Sequence, residues 1–323
     1  RFLLGEDLTT LRVSWPENVQ GSFTQEPQLE PRPHQLEAVQ ASCDLFETGE
    51  ERLQIHMACG TGKTFTALWI YQYLQPDIAV VLVPSINLIN QIIREWTAQT
   101  NTPFSYLAVC SDATVAEDRR PGEDTDISTG DLAALDSPPT TDIELITNFL
   151  AKAGPKVIFC TYQSSKTLAE AAHQSNTVFD LVIADEAHRT TGKADGLFST
   201  VLNNETFPAK QRLFMTATPR TFAAKSDGDE TVNSMDDENV YGKIAFKMGF
   251  GEALHNDPPL LADYEVIVVN ITDENLRNII KDGSSLELEG LDRTVASSTL
   301  LSLEATCQAF EQFDIHRAIS FHS

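Results

Sequence analysis

Long apolar runs are missing from this 323-residue chain, and the longest, such as Ile78–Val83, are only a few residues. They fall well short of the roughly 20 apolar residues that a membrane-spanning helix needs. Residues 1–10 have no charged start followed by a long apolar stretch, so no secretory leader is read there. Cysteine is scarce and scattered: Cys43, Cys59, Cys110, Cys160 and Cys307 are odd in number, and no two have metal-ligand spacing. That excludes a disulfide framework or a zinc cluster as the organising principle and suits a reduced cytoplasm. Basic residues are also few, 23 Lys and Arg against 47 Asp and Glu, for a formal net charge of −24. An anionic protein repels a phosphate backbone at long range. Any grip on nucleic acid must therefore come from local donors in a cleft rather than from global steering. The acidity itself reads as a solubility trait or the mark of a salt-adapted proteome.

What is present is an ordinary globular composition, 41% hydrophobic and 22% charged, in a chain long enough for two domains at about 150 residues each. Apolar spacing predicts helices over Pro33–Thr48, with Gly49 as a stop, and over Lys63–Leu74. Further helices are predicted over Ile86–Thr97, with Ser85 as a candidate N-cap, and over Ile143–Lys152, Ser164–His173 and Ser298–Phe313. Short strands are predicted at Leu53–Met57, Ile78–Val83, Lys156–Thr161, Leu181–Asp185 and Leu213–Thr216. Continuous apolar strands alternating with helices point to a doubly wound parallel α/β sheet. Ser111–Asp142 interrupts this with acidic residues and prolines and reads as a surface insertion, while Lys225–Asn239 reads as a polar, acidic loop.

Two motifs carry chemistry. The first is Met57-Ala58-Cys59-Gly60-Thr61-Gly62-Lys63-Thr64, between a strand and a helix. Its glycines let the backbone turn its amides toward phosphate oxygens, and the helix start adds positive potential. Cys59 to Thr64 are the candidate nucleotide-binding residues: Lys63 to reach the terminal phosphates and Thr64 to hold magnesium through its hydroxyl. The second is Asp185-Glu186-Ala187-His188, at the end of an apolar strand. A carboxylate at the C-terminal edge of a parallel sheet faces the same crevice as the glycine loop. Asp185 is expected to hold the metal, Glu186 to orient and deprotonate the attacking water, and His188 to sense the γ-phosphate.

Together these motifs resemble the superfamily 2 helicases of the DEAH-box type, from about residue 31 onward. The resemblance implies a RecA-like domain over residues 31–255, with the acidic insertion at about 111–142. It also implies the beginning of a second RecA-like lobe over 256–323, with strands at Tyr264–Ile271 and Ala318–His322. Residues 1–30 read as a linker from an upstream region. In Arg32-Pro33-His34-Gln35 the resemblance gives Gln35 the role of reading adenine. It gives Pro84, Ser85, Thr161 and Gln163 first-lobe nucleic-acid contacts, and Thr216-Ala217-Thr218 the coupling of hydrolysis to lobe movement. A narrower likeness rests on Asp185–Gly192, Met215–Arg220, Ser234–Glu238 (SMDDE) and Tyr241-Gly242. These look like the helicase portion of type ISP restriction-modification and related phage-defence enzymes. ATP and Mg2+ are the implied cofactors. Double-stranded DNA is the implied partner, with covalently linked nuclease or methyltransferase domains. An RNA helicase and an ATP-gated clamp without translocation remain open alternatives on the residues alone.

The second-lobe motif whose arginines complete the ATP site in such enzymes is absent from these residues. The expected behaviour of the 323-residue chain is nucleotide binding with poor turnover, because such arginines contribute a large factor to phosphoryl transfer. Steady-state phosphate release checks this, and robust hydrolysis by this chain overturns it.

Overall fold

The computed structural model describes residues 28–110, 139–193, 198–222 and 232–263, the backbone of 285–287 and 294–296, and helical residues 306, 307, 309, 310, 312 and 313. The chain divides into two compact units, Arg1–Leu261 and Ala262–Ser323. The expectations for the 1–30 linker (to residue 27), for 111–138 and for strands at Tyr264–Ile271 and Ala318–His322 lie outside the described residues. In the second unit, β-strands Ser285–Glu287 and Thr294–Ala296 form an antiparallel pair.

The first unit is built on seven strands: β1 (Arg52–Met57), β2 (Ile78–Val83), β3 (Ser105–Val109), β4 (Lys156–Thr161), β5 (Phe179–Ala184), β7 (Ala209–Thr216) and β9 (Lys243–Met248). Their order is β3-β4-β2-β5-β7-β1-β9 and every neighbouring pair is parallel. Between the strands run α1 (Pro33–Glu47, ahead of β1), α2 (Lys63–Leu74), α3 (Ile86–Gln99), α4 (Ile143–Leu150) and α5 (Ser165–Gln174). A short pair, β6 (Gly192–Lys193) and β8 (Val232–Asn233), is antiparallel. Two short helices, α6 (Glu238–Tyr241) and α7 (Phe250–His255), flank β9.

Parallel neighbours need crossovers, and the crossover helices cover both faces of the sheet. This is why the central strands read as unbroken apolar runs. Ala79, Val81 and Val83 of β2 join one core with α1, α2 and α3. Val80 and Leu82 of the same strand join the other core with α4 and α5. Trp96 of α3 is fully buried and anchors the first core, its ring about 5.5 Å from that of Tyr71 and 5.6 Å from that of Phe159. Helix α1 begins with Pro33 at its first turn, where a missing N–H costs nothing. It ends at Gly49 with φ +98°.

The structure adds β3, β9 and α7, which the sequence reading does not contain. Strand β9 is an edge strand whose Lys243 and Lys247 face solvent, so it has no apolar run to betray it. Strand β3 follows α3 with a short, partly exposed segment. The stretch around SMDDE, expected to be loop, contains β8 and leads into α6, whose N-cap Asp237 accepts from the Asn239 amide at 3.0 Å. Thr140 bridges to β3 at Val109, and Asp142 caps α4, so the end of the expected insertion is tied to the domain.

One polar stripe crosses the second core. Arg212 is 1% exposed and donates to the backbone carbonyls of Val201 and Phe207. Burial, then the neighbouring Arg52, pull its pKa down to about 9. Arg52 bonds the carbonyls of Leu202 and Val240, and Gln54 those of Met235 and Gly242. Gly242 sits at φ +77°, and a Cβ there would lie 1.8 Å from the Arg52 carbonyl oxygen. Gly242→Ala is therefore expected to lower unfolding stability by at least about 2 kcal/mol, read from the urea midpoint at constant m-value. A variant as stable as the parent contradicts this close approach.

Candidate nucleotide site

The strand order sets β5, β7 and β1 side by side, so three chain segments far apart in sequence end at one edge. The glycine loop leaves β1, the Asp185–His188 turn leaves β5, and Thr216 closes β7 between them. The loop depends on two left-handed glycines. Gly60 has φ +84°, and Gly62, the N-cap of α2, has φ +89°. Thr61 is fully buried and folds the loop back on itself, its hydroxyl donating to the Ala58 carbonyl at 2.7 Å. Cys59 is exposed on the loop's outer side. Lys63 opens α2 with its ammonium 3.4 Å from the Met57 carbonyl and 4.0 Å from a Glu186 carboxylate oxygen. Thr64 follows in the first turn, and its carbonyl is held by the Trp96 indole N–H at 3.2 Å.

The loop is braced from below. His34 Nε2 lies 2.9 Å from the Thr61 carbonyl oxygen, and the Gln35 amide donates to the carbonyls of Thr61 and Gly62 at 3.3 and 3.2 Å. The Gln35 side-chain oxygen accepts the Arg32 amide at 2.9 Å. Gln35 is 4% exposed; its amide nitrogen holds the loop and its oxygen holds the Arg32 amide at the start of α1. In this arrangement its nitrogen braces the loop, and its oxygen, with two lone pairs, accepts the Arg32 amide. His34 was missed by sequence reasoning. Its only signal was adjacency to Gln35.

At the end of β5, the Asp185 carboxylate accepts the Glu186 amide at 2.9 Å, and the buried Tyr162 hydroxyl donates to the Asp185 carbonyl at 2.7 Å. Burial, then the charge of Glu186, push the Asp185 carboxyl up to about 6, and Lys63 partly opposes this. A positive ion beside it favours the ionised form. Glu186 has φ +49°, a left-handed conformation that is strained for a residue with a side chain. The turn points its carboxylate between Lys63, at 4.0 Å, and His188 Nδ1, at 3.3 Å. His188 Nδ1 is also 2.9 Å from the hydroxyl of Thr216 and 3.4 Å from that of Thr218. Burial, with Arg220, Arg189 and Lys63 nearby, lowers its pKa and favours neutral imidazole, and the Glu186 carboxylate opposes this. The structure thus brings together Lys63, Glu186, His188, Thr216 and Thr218.

The expected nucleic-acid residues divide. Pro84 and Thr161 are buried, and the Thr161 hydroxyl is given to Ser164, so their side chains are internal. Ser85 stands in the N-cap position of α3 without a side-chain cap bond and is half-buried. Gln163 is also half-buried, with a buried side-chain oxygen that has no partner.

Thr64 and Asp185 line one small cavity together with Lys63. A hydroxyl and a carboxylate are oxygen donors of the kind a hard divalent ion takes alongside phosphate oxygens.

The family model for the Type III restriction enzyme res subunit matches residues 28–221, more than half of the chain. The chain belongs to that family, and so to the superfamily 2 helicases related to restriction-enzyme motors. The particular relatives sharpen this. A probable helicase of African swine fever virus is 30% identical over 244 residues, which are 75% of this chain and 24% of the relative. The Type I restriction enzyme EcoAI endonuclease subunit of Escherichia coli is 25% identical over the same length, with the same coverage. Among solved structures, the ATP-dependent Type ISP restriction-modification enzyme LlaBIII bound to DNA is 30% identical with a TM-score of 0.56, over 72% of this chain and 16% of that one. A nuclease-deletion mutant of the Type ISP enzyme LlaGI, in complex with a DNA substrate mimic, is 30% identical with a TM-score of 0.55, over 79% and 22%. The chain therefore spans about a quarter or less of the length of these relatives. Its seven-stranded parallel sheet is the RecA-like fold of this class.

If Lys63 is the cation that meets the phosphates, Lys63→Ala deletes it from a loop whose backbone is held by other groups. Nucleotide affinity is expected to fall about tenfold to a hundredfold, with the melting temperature little changed. Titration with a fluorescent ATP analogue reads it, and unchanged affinity means the site lies elsewhere.

Proposed function

We propose that this chain is the ATP-binding front lobe of a DNA translocase of the restriction or phage-defence type. The observation that carries the reading is the convergence of Lys63, Glu186 and His188 with Thr216 at one edge of the sheet, within 4.0 Å of one another in sequence of contact. The glycine-loop amides and Lys63 bind the β- and γ-phosphates. Thr64 and Asp185 hold Mg2+, which when bound neutralises charge on the phosphates. Glu186 accepts a proton from the attacking water and orients it, using the gap between Lys63 and His188. Neutral His188 passes the state of the γ-phosphate end to Thr216 and Thr218 through their hydroxyls. Phosphoryl transfer needs this positioning and charge control more than covalent chemistry.

DNA as the partner is supported by the two DNA-bound type ISP structures that resemble this chain. On a chain of net charge −24, the contact must be made by local groups such as the surface-reaching Ser85 and Gln163 and by backbone amides at strand ends. Residues 256–323 begin the second RecA-like lobe in this reading, and nuclease or methyltransferase domains belong to the same polypeptide. None of the helices among the described residues is long and apolar enough to cross a membrane. A cytoplasmic site of action completes the proposal.

ATP turnover of the protein with its partner domains, titrated with duplex DNA, single-stranded DNA and RNA, tests it. Duplex DNA is expected to stimulate most. Glu186→Gln should bind ATP normally and retain it, with turnover reduced about a thousandfold or more. Stimulation mainly by RNA, or by nothing, removes the DNA-translocase reading, and near-normal turnover in Glu186→Gln removes the role of Glu186.

A further inference from the structure

The segment Ser234–Gly242 lies outside the nucleotide edge, yet it is bonded to both loops that leave that edge. It enters from β8, which pairs with β6 so that Asn233 stands opposite Gly192, in the loop that follows Glu186. The Ser234 hydroxyl accepts the Phe222 amide at 2.8 Å and donates to the Asp236 carboxylate. The Met235 amide donates to the Arg220 carbonyl at 3.1 Å. Arg220 and Phe222 lie in the chain that follows Thr216 and Thr218. At the other end of the segment, the Tyr241 hydroxyl is 3.0 Å from that of Thr190, back in the Glu186 loop. Between these ties, Gln54 of β1 donates to the carbonyls of Met235 and Gly242, both at 2.9 Å.

The same two loops meet at the nucleotide edge through His188 Nδ1, which is 2.9 Å from the Thr216 hydroxyl and 3.4 Å from that of Thr218. Contacts that share one imidazole nitrogen leave the loops free to pivot about it. A second linkage, formed elsewhere along both loops and anchored to the sheet, removes that freedom. The Thr190–Tyr241 end of the second linkage is also dry, at 2% and 0% exposed, while the Ser234–Phe222 end is part-buried. Losing the Tyr241 hydroxyl strands that of Thr190 without water to replace it.

We propose that Ser234–Tyr241 is a strap that makes the Asp185–Lys193 loop and the Thr216–Phe222 segment move as one body, with Ser234 and Tyr241 as its positioning residues. Neither touches the nucleotide. Their part is to keep His188 and Thr216 in register, so that a change at the γ-phosphate end is passed to the chain beyond Thr218. The strap's coupling role rests on the function proposed above, while its mechanical role does not.

Hydrogen exchange on the 323-residue chain separates the two. Tyr241→Phe keeps the ring against Phe214, at 5.0 Å, and removes only the hydroxyl tied to Thr190. Without nucleotide, exchange is expected to rise about tenfold both in 187–193 and in 216–222, although Tyr241 bonds only the first. Ser234→Ala should do the reverse, loosening 187–193 although Ser234 bonds only the second. Effects confined to the directly bonded segment in both variants overturn the strap. With Mg2+ and the slowly hydrolysed analogue AMP-PNP, the two segments should gain protection together in the parent chain and separately in Tyr241→Phe. If they still gain it together in the variant, the coupling role falls. If the parent chain shows no response to AMP-PNP, the proposed function fails, and the nucleotide-free comparison still decides the strap.

Discussion

All seven strands of the main sheet run the same way, and the site exists because of it. Parallel pairing sends every strand's carboxyl end to one edge and every crossover helix to a face. With β5, β7 and β1 adjacent, a lysine from one loop, a carboxylate from a second and a hydroxyl from a strand end become neighbours. None of the three is near the others in sequence. The apolar burial on both faces holds that edge rigid, and the loops above it carry the chemistry.

The edge stores strain as well as order. Glu186 is left-handed, and Asp185 carries a carboxyl pushed upward by burial and by its neighbour. Residues in such states persist only when the surroundings over-determine them. Here the surroundings are specific: the Tyr162 hydroxyl on the Asp185 carbonyl, the Arg189 amide on the Glu186 carbonyl at 3.0 Å, and Lys63 and His188 on either side of the carboxylate. Beneath the glycine loop, His34 and Gln35 do the same for two positive-φ glycines. A loop held in this way presents its amides without reorganising when an anion arrives.

The irregular segments are fixed by polar burial rather than by apolar packing alone. Arg212 has backbone carbonyls and Asn204 as its acceptors, and no carboxylate partner is among them. Removing a charge from water is costly, and several charge-assisted bonds to carbonyls offset that cost while fixing the direction of each segment they hold. Arg52, Gln54 and Arg212 together hold 201–209 and 235–242 against the sheet. The acidic stretch at Ser234–Glu238 therefore has a defined conformation despite its loop-like composition.

The amino-acid sequence by itself determined what depends on near neighbours. Five central strands and the main helices follow from apolar runs and helical spacing, and α2 and β2 lie where that spacing puts them. The glycine loop and the Asp-Glu-Ala-His turn follow from residue types that only a few local conformations use. What depends on distant partners was decided by the tertiary structure. The sheet order, the edge strands β3 and β9, and the internal positions of Pro84 and Thr161 are of this kind. So is the use of Gln35 as a brace, and so is the joining of Gln54 to Met235 across 181 positions. Side-chain periodicity reports which face of an element is apolar. It carries no record of which buried carbonyl a glutamine will find once the sheet has closed.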